Sequence, residues 1–146
     1  MSSYRECALD GASAVDMVVA LYDGMIRFLY AACEAIDRGD EVGRRMAVKR
    51  TMDILLHLQA RLRMDIGGSP AVALSEFYAA TFALILQGSQ GASRAKMEKA
   101  IACVRNVRDA WRQVARDPAV NPTPLQVASE SSGYEYKAAG SQRWNA

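Results

Sequence analysis

The sequence predicts an all-α protein: an antiparallel up-down four-helix bundle with a short N-terminal segment and a flexible C-terminal tail. Three observations predict it. Apolar residues recur with a helical period through four stretches of roughly 18 to 25 residues. Glycine-bearing punctuation separates those stretches at short intervals, and no stretch alternates long enough to make a strand. The chain has 146 residues, 51% of them hydrophobic and 23% charged, which suffices for one domain and leaves no room for a second sizeable core.

Each helix has its own start and stop signals. Ser13-Ala14-Val15-Asp16 has the form of a capping box, so the first helix is expected from there to Asp37, with Gly39 as its stop. Val15, Val18, Tyr22, Met25, Leu29 and Ile36 make its core stripe. Ala20, Gly24, Ala31 and Ala35 form a strip of small residues opposite. A mid-helix glycine costs about 1 kcal/mol relative to alanine, so Gly24 predicts a close approach, either by another helix of the bundle or by a partner. The second helix is expected from about Asp40 to Met64, ending at Gly67-Gly68. Ser69-Pro70 opens the third, because proline has no donor to lose at the first helical position. It is expected to run to Gln87 and break at Gly88-Ser89-Gln90-Gly91. The fourth begins after Ser93 and ends before Pro118, with Met97, Ile101, Val104, Val107, Trp111 and Val114 on one apolar arc. Beyond it, Asn121-Pro122-Thr123-Pro124 interrupts any helix and Ser, Gly and Gln dominate. Residues 1–118 therefore read as the bundle domain. For residues 119–146 composition favours a disordered tail over a docked segment.

Composition and spacing exclude much chemistry. The single histidine, His57, sits with Lys49, Arg50, Asp53 and Arg61 on a polar face, the setting of a solvated side chain. The chain lacks the paired Glu-x-x-His units of a bundle metal site and the clustered Cys and His that zinc requires. It also lacks a phosphate loop and a nucleotide fingerprint. Cys7, Cys33 and Cys103 are odd in number and far apart, which fits reduced thiols in a cytoplasm rather than a disulfide frame. No metal, no cofactor and no enzymatic activity are expected. Residues 38–63 carry seven basic and three acidic side chains, and residues 4–37 two basic and six acidic. Such balance suggests neighbouring helices. Without interleaved aromatics the basic stretch is no nucleic-acid footprint. No run of apolar residues approaches the roughly 18 to 20 that a membrane span needs, so membrane insertion is not expected.

What remains is surplus apolar surface. Leu74, Phe77, Tyr78, Phe82, Leu84, Ile85 and Leu86 cover roughly 200° of the third helix, against the ~100° that suffices to face a core. Val48, Met52, Ile54, Leu55, Leu56, Leu58 and Leu62 do the same on the second, again spanning roughly 200°. Two readings stay open: these flanks thicken the core, or they form a groove that another chain covers.

Several blocks then resemble a known family in order and spacing over roughly residues 4–116. Leu21-Tyr22-Asp23-Gly24-Met25-Ile26-Arg27-Phe28-Leu29, preceded by Ala12-Ser13 and followed by Ala35-Ile36-Asp37-Arg38-Gly39-Asp40, is similar to the first helix of the flagellar secretion chaperones for flagellin. Leu62-Arg63-Met64-Asp65-Ile66-Gly67-Gly68 resembles the family's turn between helices two and three. Leu74 with Phe77-Tyr78 resembles its third helix, Val107-Arg108-Asp109-Ala110-Trp111 its last, and Tyr4 matches a tyrosine ahead of the bundle. Ala14 stands where the family usually has proline, and Arg63 where it usually has aspartate. The resemblance implies a cytosolic bundle that binds the disordered C-terminal segment of flagellin, delays its polymerisation and is recognised by the membrane export gate of the flagellar type III system. It implies no catalysis and no cofactor. On this reading Ile54, Leu56, Leu58, Val72, Phe82 and Leu86 are expected to hold the client and Tyr4 to contact the export gate. The alternative is a helical adaptor or regulator whose apolar faces serve self-association, and a homodimer of the empty protein stays open.

Overall fold

The computed structural model of the chain describes residues 2–65, 68–116 and 127–129, with side chains described from residue 14 onward but not at 63–65, 68–70 or 115. Four helices follow in order: α1 (Ser2–Arg38), α2 (Glu41–Asp65), α3 (Gly68–Gln90) and α4 (Arg94–Arg116). Each packs on its neighbours in a ring, α1 on α2, α2 on α3, α3 on α4 and α4 back on α1, which is the arrangement of an up-down four-helix bundle. Among the described residues there is no strand.

The helix ends follow from local chemistry. Gly39 takes φ 70°. The chain there closes with Asp40 N–H donating to Ala35 O at 2.8 Å and Gly39 N–H to Ile36 O at 3.1 Å, the paired bonds of a Schellman stop. Asp40 then caps α2, its carboxylate accepting from Gly43 N–H at 2.8 Å. That bond, ahead of a weaker one from Arg38, holds the Asp40 carboxyl below the usual carboxylate range. Ser93 caps α4 in the same way, accepting from Lys96 N–H at 3.2 Å.

Two boundaries differ from expectation. α1 does not start at Ser13 but runs unbroken from Ser2. Ala14 keeps the N–H that a proline would lack, so nothing in the covalent chain stops the helix there. α3 passes through Gly88 to Gln90. Gly88 is buried, and a Cβ on it would lie 3.3 Å from Lys96 Cβ and 3.4 Å from the end of Met97, so it serves the approach of α4 rather than a break. The stop comes at Ala92, which takes the left-handed φ of 46°.

The core is built from the inward stripes: Tyr22, Met25 and Leu29 of α1, Leu55, Leu58 and Leu62 of α2, Leu74, Phe77 and Ile85 of α3, Met97, Val104 and Val107 of α4. Its buried hydroxyls are satisfied locally, Thr51 donating to Ala47 O at 3.0 Å and Thr81 to Phe77 O at 2.8 Å. Most of the region expected as a tail, 119–146, lies outside the described residues. The three that are described, 127–129, are helical; Ala128 is wholly buried as part of the core, and Val127 packs against it.

Candidate functional site

The Tyr22-Asp23-Gly24 block holds three other helices in place around α1. The Tyr22 hydroxyl meets that of Tyr78 in α3 at 2.7 Å across the centre of the bundle. Asp23 accepts from Arg108 Nη1 at 2.9 Å and Arg112 Nη2 at 3.5 Å, tying down α4. Gly24 is buried, and a Cβ there would sit 3.3 Å from Ile54 Cδ1, so the missing side chain seats α2. The close approach predicted at Gly24 therefore comes from within the bundle. Burial, reinforced by its neighbour, pushes the Tyr22 phenol well above its ordinary range, and burial pushes Tyr78 up to about 12. The Trp111 Nε1 is buried beside them with no hydrogen bond of normal geometry; its influence on Tyr22 is downward and the smallest.

With these contacts made, the apolar surplus divides unequally between α2 and α3. On α2, Val48, Leu55, Leu58 and Leu62 are buried and Ile54 and Met52 are half-buried against the core. Of the seven apolar residues on that arc only Leu56 stands out, 60% exposed. On α3, Val72 (56% exposed), Leu86 (42%) and Phe82 (36%) remain uncovered. The stretch Ala71–Gln90 is by length and composition apolar enough to cross a membrane, yet only 39% of it is buried. It is half of a bundle's core and half of something else.

Val72, Ser75, Ala79, Phe82 and Leu86 explain that character. They follow one another at steps of three, four, three and four residues, a second seam on α3 beside the inward stripe through Leu74, Tyr78, Thr81 and Ile85. Met52, Leu56 and Gln59 continue the same spacing on α2. Between the two helices lies an open groove of about 270 Å³, lined by Leu55, Leu56, Gln59, Tyr78, Ala79 and Phe82. Gln59 Nε2 donates to Ser75 Oγ at 2.6 Å, bracing the two walls. A separate half-enclosed cavity of about 180 Å³ opens where all four helices meet, among Val18, Leu58, Leu62, Tyr78 and Trp111.

The expected client residues do not form one set. Leu56 and Phe82 share the groove, and Val72 and Leu86 extend the same stripe along α3. Ile54 instead packs toward Gly24, and Leu58, 3% exposed, faces inward and lines the second cavity. Both have the apolar character of the groove but the wrong phase, because the α1 side of α2 is closed by the small Gly24. Gln59, Ser75 and Ala79 were missed; the three-four spacing through Val72, Phe82 and Leu86 carries the signal that finds the last two. The side chain of Tyr4 lies outside the described residues.

His57 is exposed on the outside of α2, and burial pushes the Cys33 thiol up, the opposite of an activated nucleophile. Among the described residues no group of three or more His, Cys, Asp and Glu side chains could hold a metal ion.

Residues 1–118 match the family model described as "Flagellar protein FliS". The flagellar secretion chaperone FliS of Salmonella typhimurium is 28% identical over 111 residues, covering 75% of this chain and 82% of that relative. That of Campylobacter jejuni is 29% identical over 104 residues, covering 71% of this chain and 81% of the relative.

Proposed function

The chain belongs to the FliS family of flagellar proteins, and from that premise we propose that it is a cytosolic, non-enzymatic export chaperone. It binds the disordered C-terminal segment of flagellin on the α2–α3 groove, keeps it from polymerising early and presents it to the flagellar export gate. One observation carries the reading: the unpartnered second stripe on α3, Val72, Ala79, Phe82 and Leu86, facing Leu56 across an open groove. A stripe at steps of three and four is the counterpart of an amphipathic helix, whose own apolar residues recur at i, i+3, i+4 and i+7.

The physics is folding coupled to binding. A disordered amphipathic segment loses conformational freedom as it docks, and burial of roughly 1,000–3,000 Å² offsets that loss. The groove supplies few polar anchors beyond Gln59 and Ser75, so recognition rests on shape and apolar spacing rather than on ion pairs. Such a surface holds a chain firmly enough to block a wrong partner and still releases it, because no single contact dominates. Tyr4 is assigned to the export-gate contact.

The test is titration of a synthetic flagellin C-terminal segment into the folded protein. Leu56→Glu with Phe82→Glu places two charges in the groove without touching the core. It is expected to weaken binding at least about a hundredfold while the far-ultraviolet helical signal stays intact, because a charge buried without a partner is costly. Unchanged affinity in a folded double variant would refute the groove. A stable dimer indifferent to the segment would favour the self-associating adaptor instead. Tyr4→Ala is expected to spare client binding and weaken capture of the loaded complex by the gate protein.

A further inference from the structure

The α2–α3 groove is apolar except at one turn. Leu55, Leu56, Tyr78, Ala79 and Phe82 line it together with Gln59, and none of these described lining residues is charged. Gln59 donates from Nε2 to Ser75 Oγ at 2.6 Å, tying the two walls together where both side chains are half-buried. A primary amide has two donors and an acceptor, and a hydroxyl has one donor and two lone pairs, so that single bond leaves capacity on both sides. Among the described residues neither side chain makes a second hydrogen bond. In the unloaded protein an acceptor, Gln59 Oε1, and a donor, the Ser75 hydroxyl, therefore stay available to solvent.

Docking changes that balance. A helix laid along the seam removes the solvent, and a buried donor or acceptor left without a partner costs about tenfold or more in affinity. An apolar side chain at that turn supplies no bond, whereas Asn, Gln, Ser or Thr both donates and accepts. A carboxylate or an ammonium would satisfy only one of the two atoms and would find no countercharge among the described lining residues. The neighbouring turns ask for the reverse. Val72 lies three residues from Ser75, Ala79 four and Phe82 seven, about 4.5, 6 and 10.5 Å along the helix axis. Val72, Phe82 and the facing Leu56 are apolar and exposed. A guest slid by one turn would set an apolar side chain on the amide and hydroxyl and its polar one against Ala79. Two mismatches follow from one slip, so the pair fixes register, as a single polar residue does in the apolar seam of a coiled coil.

We infer that Gln59 and Ser75 are the specificity-determining residues of the groove: they select a client helix that carries one uncharged hydrogen-bonding side chain, Asn, Gln, Ser or Thr, within its apolar stripe, with apolar residues three or four positions to either side. The inference rests on the reading of the groove as the client surface and adds the kind of helix that surface takes. Apolar spacing supplies an attraction that many amphipathic helices share. The polar pair supplies the rejection of those whose apolar face is unbroken. Selection of this kind works by penalty, because a site that bonds a hydroxyl or an amide discriminates against the analogue lacking it.

The test is a double-mutant cycle between the full chain and synthetic flagellin C-terminal segments in which each Asn, Gln, Ser and Thr is replaced in turn by Ala. On the parent protein one replacement is expected to weaken binding about tenfold, and the others less than about twofold. Gln59→Met with Ser75→Ala removes the polar pair and keeps good helix formers at both positions. On that variant the preference is expected to invert, the Ala segment binding at least as tightly as the unsubstituted one. A general loss of packing would weaken both segments alike and would not reverse their order. Should the double variant lose its far-ultraviolet helical signal, Ser75→Ala alone carries the same comparison, with the gap between the two segments expected to shrink. Two outcomes overturn the inference and leave the client reading standing: no replacement weakens binding to the parent, or the gap persists undiminished in the variant. A parent that binds no form of the segment overturns both.

Discussion

α1 and α3 are both rich in apolar and small residues, and they use them in opposite ways. Along α1 each unusual residue has an internal partner: Tyr22 reaches α3, Asp23 holds α4, and Gly24 admits Ile54 of α2. Along α3 the inward stripe is equally well occupied, but the second stripe through Val72, Phe82 and Leu86 stays exposed among the described residues, along an open groove rather than inside the core. The contrast separates two demands on one sequence. A bundle needs one stripe per helix to fold. A carrier needs a further stripe that folding does not consume.

The contrast breaks first at its sealed side. Leu29 is wholly buried in α1, so Leu29→Ala is expected to destabilise the protein by about 2–5 kcal/mol, a cavity with no neighbour free to fill it. Chemical denaturation with an unchanged m-value measures it. A loss below about 1 kcal/mol would mean that the α1 interior yields as readily as the groove, and the division would fail.

How much of this was legible in the sequence follows from the same contrast. The four helices were legible because period and punctuation are local properties: Gly39, Asp40 and Ser93 act where they stand. The start of α1 was not, because Ser13 has the form of a cap but an alanine after it lets the helix pass. The end of α3 was misplaced because Gly88 marks the approach of Lys96 and Met97 in α4, a packing role that reads in one dimension like a helix stop. The groove was half legible. Phe82, Leu86, Val72 and Leu56 declare themselves by excess, whereas Leu58 and Ile54 look the same in one dimension. Which flank of α2 closes depends on a glycine in another helix. The docking of Ala128 was opaque, since one alanine in a polar, proline-bearing stretch gives no apolar pattern to read.

A subtler break lies at the bundle's centre. Tyr78→Phe leaves the Tyr22 hydroxyl buried and without its partner, which is expected to cost about 1–3 kcal/mol at neutral pH. The pair also sets an alkaline limit. A phenol whose folded value is raised keeps its contribution below its unfolded value near pH 10 and loses it as pH climbs toward about 12. Unfolding the parent across that window should show stability falling, with a shallower fall in Tyr78→Phe because one of the two raised phenols is gone. Equal slopes would mean that the hydroxyls are solvated rather than enclosed.

The smallest effect is the sharpest, because it asks for almost nothing. Leu56→Gln replaces the most exposed groove residue with a good helix former of similar length, and its effect on the stability of the unloaded protein is expected to stay within about 0.5 kcal/mol. Its effect on affinity for the flagellin segment should be several-fold, since the same side chain that folding ignores would be buried on docking. Stability and affinity thus move independently at Leu56 and together at Leu29, and two melting curves beside two titrations are enough to see it. Were Leu56→Gln to cost more than about 2 kcal/mol, the seam would be permanent core, packed by this chain's own residues, and no stripe would be left over for a guest.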